Sequence, residues 1–205
     1  MATELLIVGA GPAGVSAALW ARSLGLEALV IDSSDRVGGQ LHHVHFHPRD
    51  LAGVTSGVGS EIAMRYQEQL AAADVEIRFG VSAGALEAGR GEQPCVVSGY
   101  ERLEASAVLV ATGARRRTLD VPGERELEGR GVSYSATRDL EQLRGRRVVI
   151  AGGGDGAFEN ALNLAHEGSD VTIVVRDHGR ARKEFRDRVA ASRRIRVIEH
   201  TTSRR

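Results

Sequence analysis

The sequence predicts an α/β fold made of two similar halves, because it contains two glycine-rich turns that begin 143 residues apart. The first turn, Gly9–Gly14, follows the apolar run 5–8. The second turn, Gly152–Ala157, follows the apolar run 148–150. Each fits the pattern G-x-G-x-x-G/A, in which a strand turns tightly into a helix whose N-terminus seats a dinucleotide pyrophosphate. We therefore expect two Rossmann-like three-layer nucleotide-binding domains.

Hydrophobic periodicity and turn residues predict the remaining elements. The elements predicted in the first half are strand 4–9, helix 12–24, strand 27–31, helix 60–73, strand 75–79, an antiparallel meander within 81–107 and strand 107–111. A charged segment, 115–128, contains Pro122 and Gly123 and predicts a linker. The elements predicted in the second half are a strand from 147, helix 156–166, strand 171–175, helix 181–191 and strand 195–199.

Composition excludes several classes of protein. The 205 residues carry a formal net charge of zero, which gives no electrostatic footprint for nucleic acid. No apolar run approaches the roughly 20 residues that a membrane span needs, and no basic segment precedes the first strand as in a signal peptide. The single cysteine, Cys95, excludes an intramolecular disulfide and fits a cytoplasmic protein. We expect Cys95 to be a packed residue rather than a nucleophile.

In the first turn each glycine has its own geometric task. Gly9 allows the tight turn, Gly11 lets backbone amides approach a phosphate, and Gly14 lets the helix pack on the strand. Asp32 lies 21 residues after Gly11 at the end of the second strand, where a carboxylate can accept a ribose hydroxyl. The alternative is a glycine-rich connection that binds no ligand. The agreement of strand, glycines, helix and acid favours the dinucleotide site.

The second turn repeats the phosphate-binding arrangement. Asp155 and Glu159 flank the start of its helix. These two acids either take part in the nucleotide site or simply stabilise the helix dipole, as acids in a first turn ordinarily do. Both interpretations stay open. The residues that we assign to the second dinucleotide in this turn are Gly152, Gly154, Asp155, Gly156 and Ala157.

The strand 171–175 ends without an acid, and Arg176 follows it at once. Arg180 lies close behind, in a basic cluster that also contains Arg182 and Lys183. Guanidinium groups pair bidentately with phosphate, which favours the 2′-phosphate of NADPH, with NADH as the alternative. A solvated basic helix face is the other interpretation of the cluster. We assign Arg176 and Arg180 to the nicotinamide cofactor.

Six short motifs occur in order along the chain: Gly9–Gly14, Gly38–Leu41, Ala111–Ala114, Val121–Gly123, Gly131–Tyr134 and Gly152–Asp155. Together they resemble those of thioredoxin reductase-like flavoproteins over essentially the whole chain. The resemblance implies an FAD-binding domain at 1–117 and an NAD(P)-binding domain at 118–205. The residues that it implies for FAD are Gly9, Gly11, Pro12, Ala13, Gly14, Asp32, Gly39, Gln40, Thr112 and Gly113.

The chain departs from the pattern of that family in two ways. Ser135 and Arg138 stand where thioredoxin reductases have the two cysteines of Cys-Ala-Thr-Cys. A serine forms neither a thiolate nor a disulfide, so dithiol exchange at this site is excluded. The family's chain also returns to its first domain, and we expect the FAD domain here to be C-terminally incomplete. Three explanations stay open: another chain supplies the missing half, the sequence is a fragment, or the fold closes differently.

We expect an FAD-dependent NAD(P)H oxidoreductase that passes hydride from nicotinamide to flavin and on to an acceptor other than a dithiol. One alternative is an enzyme like the ferredoxin/flavodoxin–NADP reductases. Another is a catalytically inactive nucleotide-binding fragment, or a subunit completed by a partner chain. We expect no catalytic side chain, no nucleic-acid partner and no membrane partner. The expected partners are NAD(P)H, an electron acceptor that the sequence does not identify, and a second copy of the chain or a complementing chain.

A histidine-rich stretch offers a different interpretation. In an extended segment His43, His45 and His47 would face one way, a spacing that suits zinc or copper. His42 adjoins them, but no cysteine and no obvious fourth ligand does. The resemblance places this stretch beside the flavin. We therefore assign these histidines to the flavin side or to the surface, and we predict no metal site.

Overall fold

The computed structural model describes residues 3–45, 48, 54–88, 93–115 and 117–201. The chain divides into two compact units, Met1–Arg115 and Arg116–Arg205. Each unit contains parallel strands joined by helices, which confirms the predicted α/β class. Among the described residues no helix combines the length and the apolarity that crossing a membrane requires.

The first unit is built on one six-stranded sheet with the order β3-β2-β1-β6-β5-β4. Its elements are β1 (Thr3–Val8), α1 (Pro12–Ser23), β2 (Ala28–Asp32), a 3₁₀ helix (Gly39–His43), α2 (Gly59–Ala72), β3 (Glu76–Phe79), β4 (Ala85–Ala88), β5 (Pro94–Ser98) and β6 (Glu101–Val110). Strand β1 is central and runs parallel to both β2 and β6. The carboxyl ends of these three strands therefore meet at one edge of the sheet, where α1 begins.

Strand β6 corrects the sequence prediction. We expected a meander up to residue 107 and a separate strand at 107–111, but one ten-residue strand takes both parts. Residues 101–104 pair antiparallel with β5, whereas 105–110 lie in the part that pairs parallel with β1. No glycine or proline interrupts 101–110, so the backbone stays extended and joins the meander to the parallel sheet.

Both faces of the first sheet are packed. On one face, small buried residues of α1 such as Ala18 and Ala21 lie in a cluster with Ile7 and Val30, because their size lets the helix approach the strands closely. The other face has its own buried cluster, made of Leu6, Val8, Leu29, Ile31, Val96 and Ala105. Cys95 is fully buried and free, which confirms that it is a packed residue.

The second unit contains a three-stranded parallel sheet with the order β7-β8-β9. Its elements are α3 (Leu140–Leu143), β7 (Arg147–Ala151), α4 (Asp155–His166), β8 (Asp170–Val174), α5 (Lys183–Ala191) and β9 (Ile195–Ile198). Phe158 and Leu164 of α4 pack in one buried cluster with Val171 and Ile173 of β8. The carboxyl ends of all three strands lie at the edge where α4 begins.

The predicted linker is folded where the structure describes it. Glu124 is only 5% exposed, and its carboxylate accepts hydrogen bonds from the amides of Leu119 (2.9 Å) and Asp120 (2.8 Å) and from the Tyr134 hydroxyl (2.6 Å). The bond from the Leu119 amide and then that from Tyr134 lower the pKa of Glu124. The same carboxylate raises the pKa of Tyr134 to about 12. Residues 117–128 therefore form a turn-rich segment fastened by one buried acid.

Candidate functional site

The first glycine turn leads from the carboxyl end of β1 into α1. Gly9 has a φ of +114°, and a Cβ there would lie 2.3 Å from the carbonyl oxygen of Ala111. A Cβ at Gly14 would lie 1.8 Å from the carbonyl oxygen of Gly9. Packing within the unit therefore demands glycine at both positions: at Gly9 because the turn lies against the residue after β6, and at Gly14 because the helix lies against the turn.

Gly11 differs from these two glycines because the space in front of it is open. A Cβ at Gly11 would meet no described atom within 4 Å beyond its chain neighbours, and its φ of −76° suits any residue. No side chain caps α1, and its first turn contains no acid. The positive end of the helix dipole therefore faces a gap into which a pyrophosphate fits.

Asp32 closes the turn from the side of β2. Its Oδ2 accepts a hydrogen bond from the amide of Ala10 (2.6 Å), and its Oδ1 accepts the amide and the hydroxyl of Ser34 (2.8 and 2.7 Å). Burial raises the pKa of Asp32, but these hydrogen bonds outweigh burial and hold the pKa below its usual value. The side chain is therefore a carboxylate whose Oδ2 keeps a lone pair for a further donor.

Two more segments converge on the first turn. A Cβ at Gly39 would lie 3.2 Å from Cα of Gly11, and the side-chain amide of Gln40 donates to the carbonyl of Ala114 (2.5 Å). The predicted first-site residues that lie around the carboxyl ends of β1, β2 and β6 are Gly9, Gly11, Pro12, Ala13, Gly14, Asp32, Gly39, Gln40, Thr112 and Gly113. They come from four separate parts of the chain.

The second turn has the same division among its glycines. Gly152 has a φ of +143° and donates its amide to the carbonyl of Val174 (3.0 Å). A Cβ at Gly153 would lie 2.6 Å from Cγ1 of Val175. At Gly154 the φ is −94°, and a Cβ would meet no described atom within 4 Å. Gly154 is therefore the counterpart of Gly11, with open space at a helix N-terminus.

The basic residues after β8 fall into two groups. Arg182 already has a carboxylate partner, because its backbone amide and its Nε each donate a hydrogen bond to Asp155 at 2.7 Å. Asp155 therefore ties the start of α4 to the segment before α5. Arg176 and Arg180 are exposed, and neither has an ion-pair partner in the part of the chain that the structure describes. The amide of Arg180 donates to the carbonyl of Gly153 (2.6 Å), which places Arg180 beside the second turn.

Ser135 and Arg138 lie together in one polar turn. The amide of Arg138 donates to the Ser135 hydroxyl (3.3 Å). The Arg138 guanidinium contacts both carboxylate oxygens of Asp139, at 2.8 and 2.9 Å. Both side chains therefore have polar structural partners within the turn.

The first two histidines of the stretch, His42 and His43, do not have the extended geometry on which the metal interpretation depends. His42 belongs to the 3₁₀ helix, and its Nε2 lies 2.8 Å from the carbonyl oxygen of Val37. His43 ends the same helix, so the premise that it alternates with His45 along a strand is wrong. His47 lies outside the described residues.

A different cluster of potential metal ligands, which was not predicted from the sequence, lies in the second unit. Its members are Asp177, His178 and His200, and one potential ligand atom of each lies within 4.8 Å of those of the other two. Asp177 and His178 follow β8, and His200 follows β9. Both positions follow predicted strands, 171–175 and 195–199. Because neighbouring parallel strands end at the same edge of a sheet, that placement was the signal that could have revealed the cluster.

Comparisons with known proteins agree with the two turns. The pyridine nucleotide-disulphide oxidoreductase family matches residues 3–202. Thioredoxin reductase of Bacillus subtilis is 35% identical over 173 residues, which cover 84% of this chain and 54% of that protein. Ferredoxin–NADP reductase 1 of Cupriavidus taiwanensis is 36% identical over 193 residues, which cover 86% of this chain and 53% of that protein. The chain thus spans about half the length of these two relatives.

Solved structures give the same result for the fold. Thioredoxin reductase of Lactococcus lactis has a TM-score of 0.77 at 29% identity, with 97% of this chain and 64% of that chain covered. The family match includes both glycine turns and therefore both units. Members of this family are in general FAD-dependent enzymes that use NAD(P)H. The chain belongs to the pyridine nucleotide-disulphide oxidoreductase family and is similar to thioredoxin reductases.

Proposed function

We propose that this chain binds FAD in its first unit and NADPH in its second, and that it passes hydride from nicotinamide to flavin. The observation that carries the proposal is the open space at Gly11 and Gly154. Packing within each unit does not require glycine at either position, whereas a pyrophosphate held against backbone amides does. A glycine of this kind caps the helix of each turn, Gly11 before α1 and Gly154 before α4, which supports two dinucleotides in one chain.

In the first unit the residues fit an adenine dinucleotide. The N-terminus of α1, which has no acid of its own, stabilises the pyrophosphate charge. Asp32 accepts a ribose hydroxyl through the free lone pair of Oδ2. Gly39 and Gln40 would lie along the flavin side, and Thr112 and Gly113, which follow β6, would hold the cofactor from there. Bound FAD supplies the two-electron chemistry that no side chain of this unit provides.

In the second unit the residues favour NADPH over NADH. Arg176 and Arg180 are exposed guanidinium groups without a carboxylate partner among the described residues, and Arg180 lies beside the second turn. Planar guanidinium forks suit the 2′-phosphate that distinguishes NADPH. The turn residues Gly152–Ala157 hold the pyrophosphate at the start of α4.

We further propose that electrons leave the flavin without a protein dithiol. Ser135 and Arg138 carry no thiol, and Cys95 is fully buried in the first unit. A ferredoxin–NADP reductase-like activity is the second candidate, because relatives of that name match at a level similar to the thioredoxin reductases. A subunit that binds both nucleotides without turnover is the third.

A reduction assay separates the three candidates. The purified chain is reconstituted with FAD and mixed with NADPH without oxygen. We expect the visible flavin absorbance to bleach, and the reduced protein to reduce ferricyanide but not thioredoxin. Reduction of ferredoxin as well supports the second candidate. Bound flavin that never bleaches supports the subunit without turnover, and reduction of thioredoxin contradicts the proposed acceptor class.

A further inference from the structure

Two imidazoles and a carboxylate meet at the surface of the second unit. Asp177, His178 and His200 each bring one ligand atom within 4.8 Å of the other two. Their side chains are between 64% and 82% exposed, so an ion has open access and water can complete its coordination. We propose that these three residues form a binding site for a divalent transition-metal ion of the zinc or nickel type.

The backbone holds the two ligand-bearing loops side by side. The amide of His200 donates to the carbonyl of Asp177 (3.2 Å), and the amide of Thr201 donates to the carbonyl of Val175 (3.1 Å). His200 has a φ of +55°, a left-handed conformation that non-glycine residues adopt uncommonly. The rings of His178 and His200 lie edge to face, with their centroids 4.5 Å apart. The ligands are therefore assembled by the fold before any ion arrives.

Glu199 orients one of the two imidazoles. Its Oε2 lies 3.2 Å from Nδ1 of His178, and its Oε1 accepts the amide of Gly179 (2.8 Å). A carboxylate on Nδ1 fixes the tautomer and leaves Nε2 of His178 with a lone pair for a metal. This is the outer-shell arrangement that metal-binding histidines use in proteins.

The donor set decides the class of ion. Two imidazoles and one carboxylate suit zinc, nickel or cobalt, whereas calcium and magnesium prefer oxygen ligands alone. The charge of the neighbouring Arg176 opposes a cation, but the carboxylates of Asp177 and Glu199 offset it. The side chains of His200 and Asp177 face each other at 3.9 Å, from Nδ1 to Oδ1, a separation too long for a hydrogen bond between them.

The test is a calorimetric titration of the whole chain with ZnCl₂ and with NiCl₂, in a variant background in which His43, His45 and His47 are alanine. The expected result is one bound ion per chain. His178→Gln or His200→Asn should weaken binding by more than about 10-fold, and Glu199→Gln by about 10- to 100-fold. Asparagine is chosen at position 200 because it tolerates a positive φ.

His166→Gln is the matched control, because His166 is exposed on α4 and contacts only Glu167 among the ion pairs described. This variant should bind as tightly as its parent. Circular dichroism checks that each variant is folded, and Co²⁺ absorption reports whether imidazole nitrogens enter the coordination. Absence of binding, or affinity that survives both His178→Gln and His200→Asn, would overturn the proposal.

Discussion

At the scale of single residues, the glycines of the two turns are of two kinds. Gly9 and Gly14 have no room for a side chain, so packing alone explains them. Gly11 and Gly154 have room, so packing does not explain them. The sequence pattern shows four glycines of equal appearance, and only the surrounding atoms separate those that shape the fold from those that face a ligand.

This distinction predicts opposite effects of one substitution. Gly14→Val forces a Cβ into the carbonyl of Gly9 and should destabilise the protein by at least about 3 kcal/mol. Gly11→Val places its side chain in open space and should cost only about 1 kcal/mol, through the poorer helix cap. Urea denaturation of the two variants beside the parent measures both effects. Equal losses of stability would contradict the open space at Gly11.

The exposed arginines after β8 give a prediction about nucleotide choice. Arg176→Gln or Arg180→Gln should weaken NADPH binding by about 10- to 100-fold, because that is the usual contribution of one charge-assisted hydrogen bond. Neither substitution should change NADH binding. Arg188→Gln on α5 is the matched control, because among the ion pairs described its guanidinium contacts only Glu184, at 3.9 Å. Fluorescence titration with both nucleotides measures the affinities. Equal weakening of NADPH and NADH would refute the 2′-phosphate contact.

At the scale of elements, the apolar strands and the helices after each turn could be predicted from the sequence, because burial imposes a visible pattern. Strand β6 could not, because its two pairings depend on β5 and β1, which are distant in sequence. The segment 117–128 could not either. A charged stretch with Pro122 and Gly123 is typical of a linker. The neighbouring sequence does not indicate that the carboxylate of Glu124 is buried and accepts three hydrogen bonds.

Glu124 gives this segment a pH dependence. Its pKa is lowered in the folded protein, so its contribution to stability is fully present above the unfolded pKa and is lost as the pH falls through the folded pKa. Glu124→Gln should therefore narrow the difference in stability between neutral and acid solution, while Glu126→Gln, an exposed neighbour, should not. The test is a series of urea unfolding midpoints, measured from neutral pH to pH values below 4.5, the ordinary pKa of a glutamate side chain. Identical acid profiles for Glu124→Gln and the parent would contradict the buried carboxylate.

Tyr134 extends the same argument to alkaline solution. Its pKa is raised to about 12 by the hydrogen bond to Glu124. The stability that it contributes is present below the ordinary tyrosine pKa of about 10 and is lost as the pH rises towards 12. An ultraviolet difference titration of the parent against Tyr134→Phe should show a tyrosine that ionises near pH 12. A midpoint of about 10 for this tyrosine would mean that the hydroxyl is not bound to the carboxylate.

At the scale of the whole molecule, the chain repeats one device in two units. In each unit a strand, β1 or β7, ends in a glycine turn that leads into a helix. The glycine that precedes each helix, Gly11 or Gly154, faces open space. The repeat was visible in the sequence because both turns keep the same spacing of glycines. The cluster of three potential metal ligands was not visible in the sequence. Its members, Asp177, His178 and His200, come together only because β8 and β9 are neighbours in the sheet.

The central claim is that each unit holds its own dinucleotide. The most direct measurement is calorimetric titration of FAD and of NADPH into the parent chain, Gly11→Val and Gly154→Val. We expect the parent to bind both cofactors, Gly11→Val to lose FAD and keep NADPH, and Gly154→Val to lose NADPH and keep FAD. A parent chain that is folded but takes up neither cofactor, or variants that bind both as well as the parent does, would contradict it.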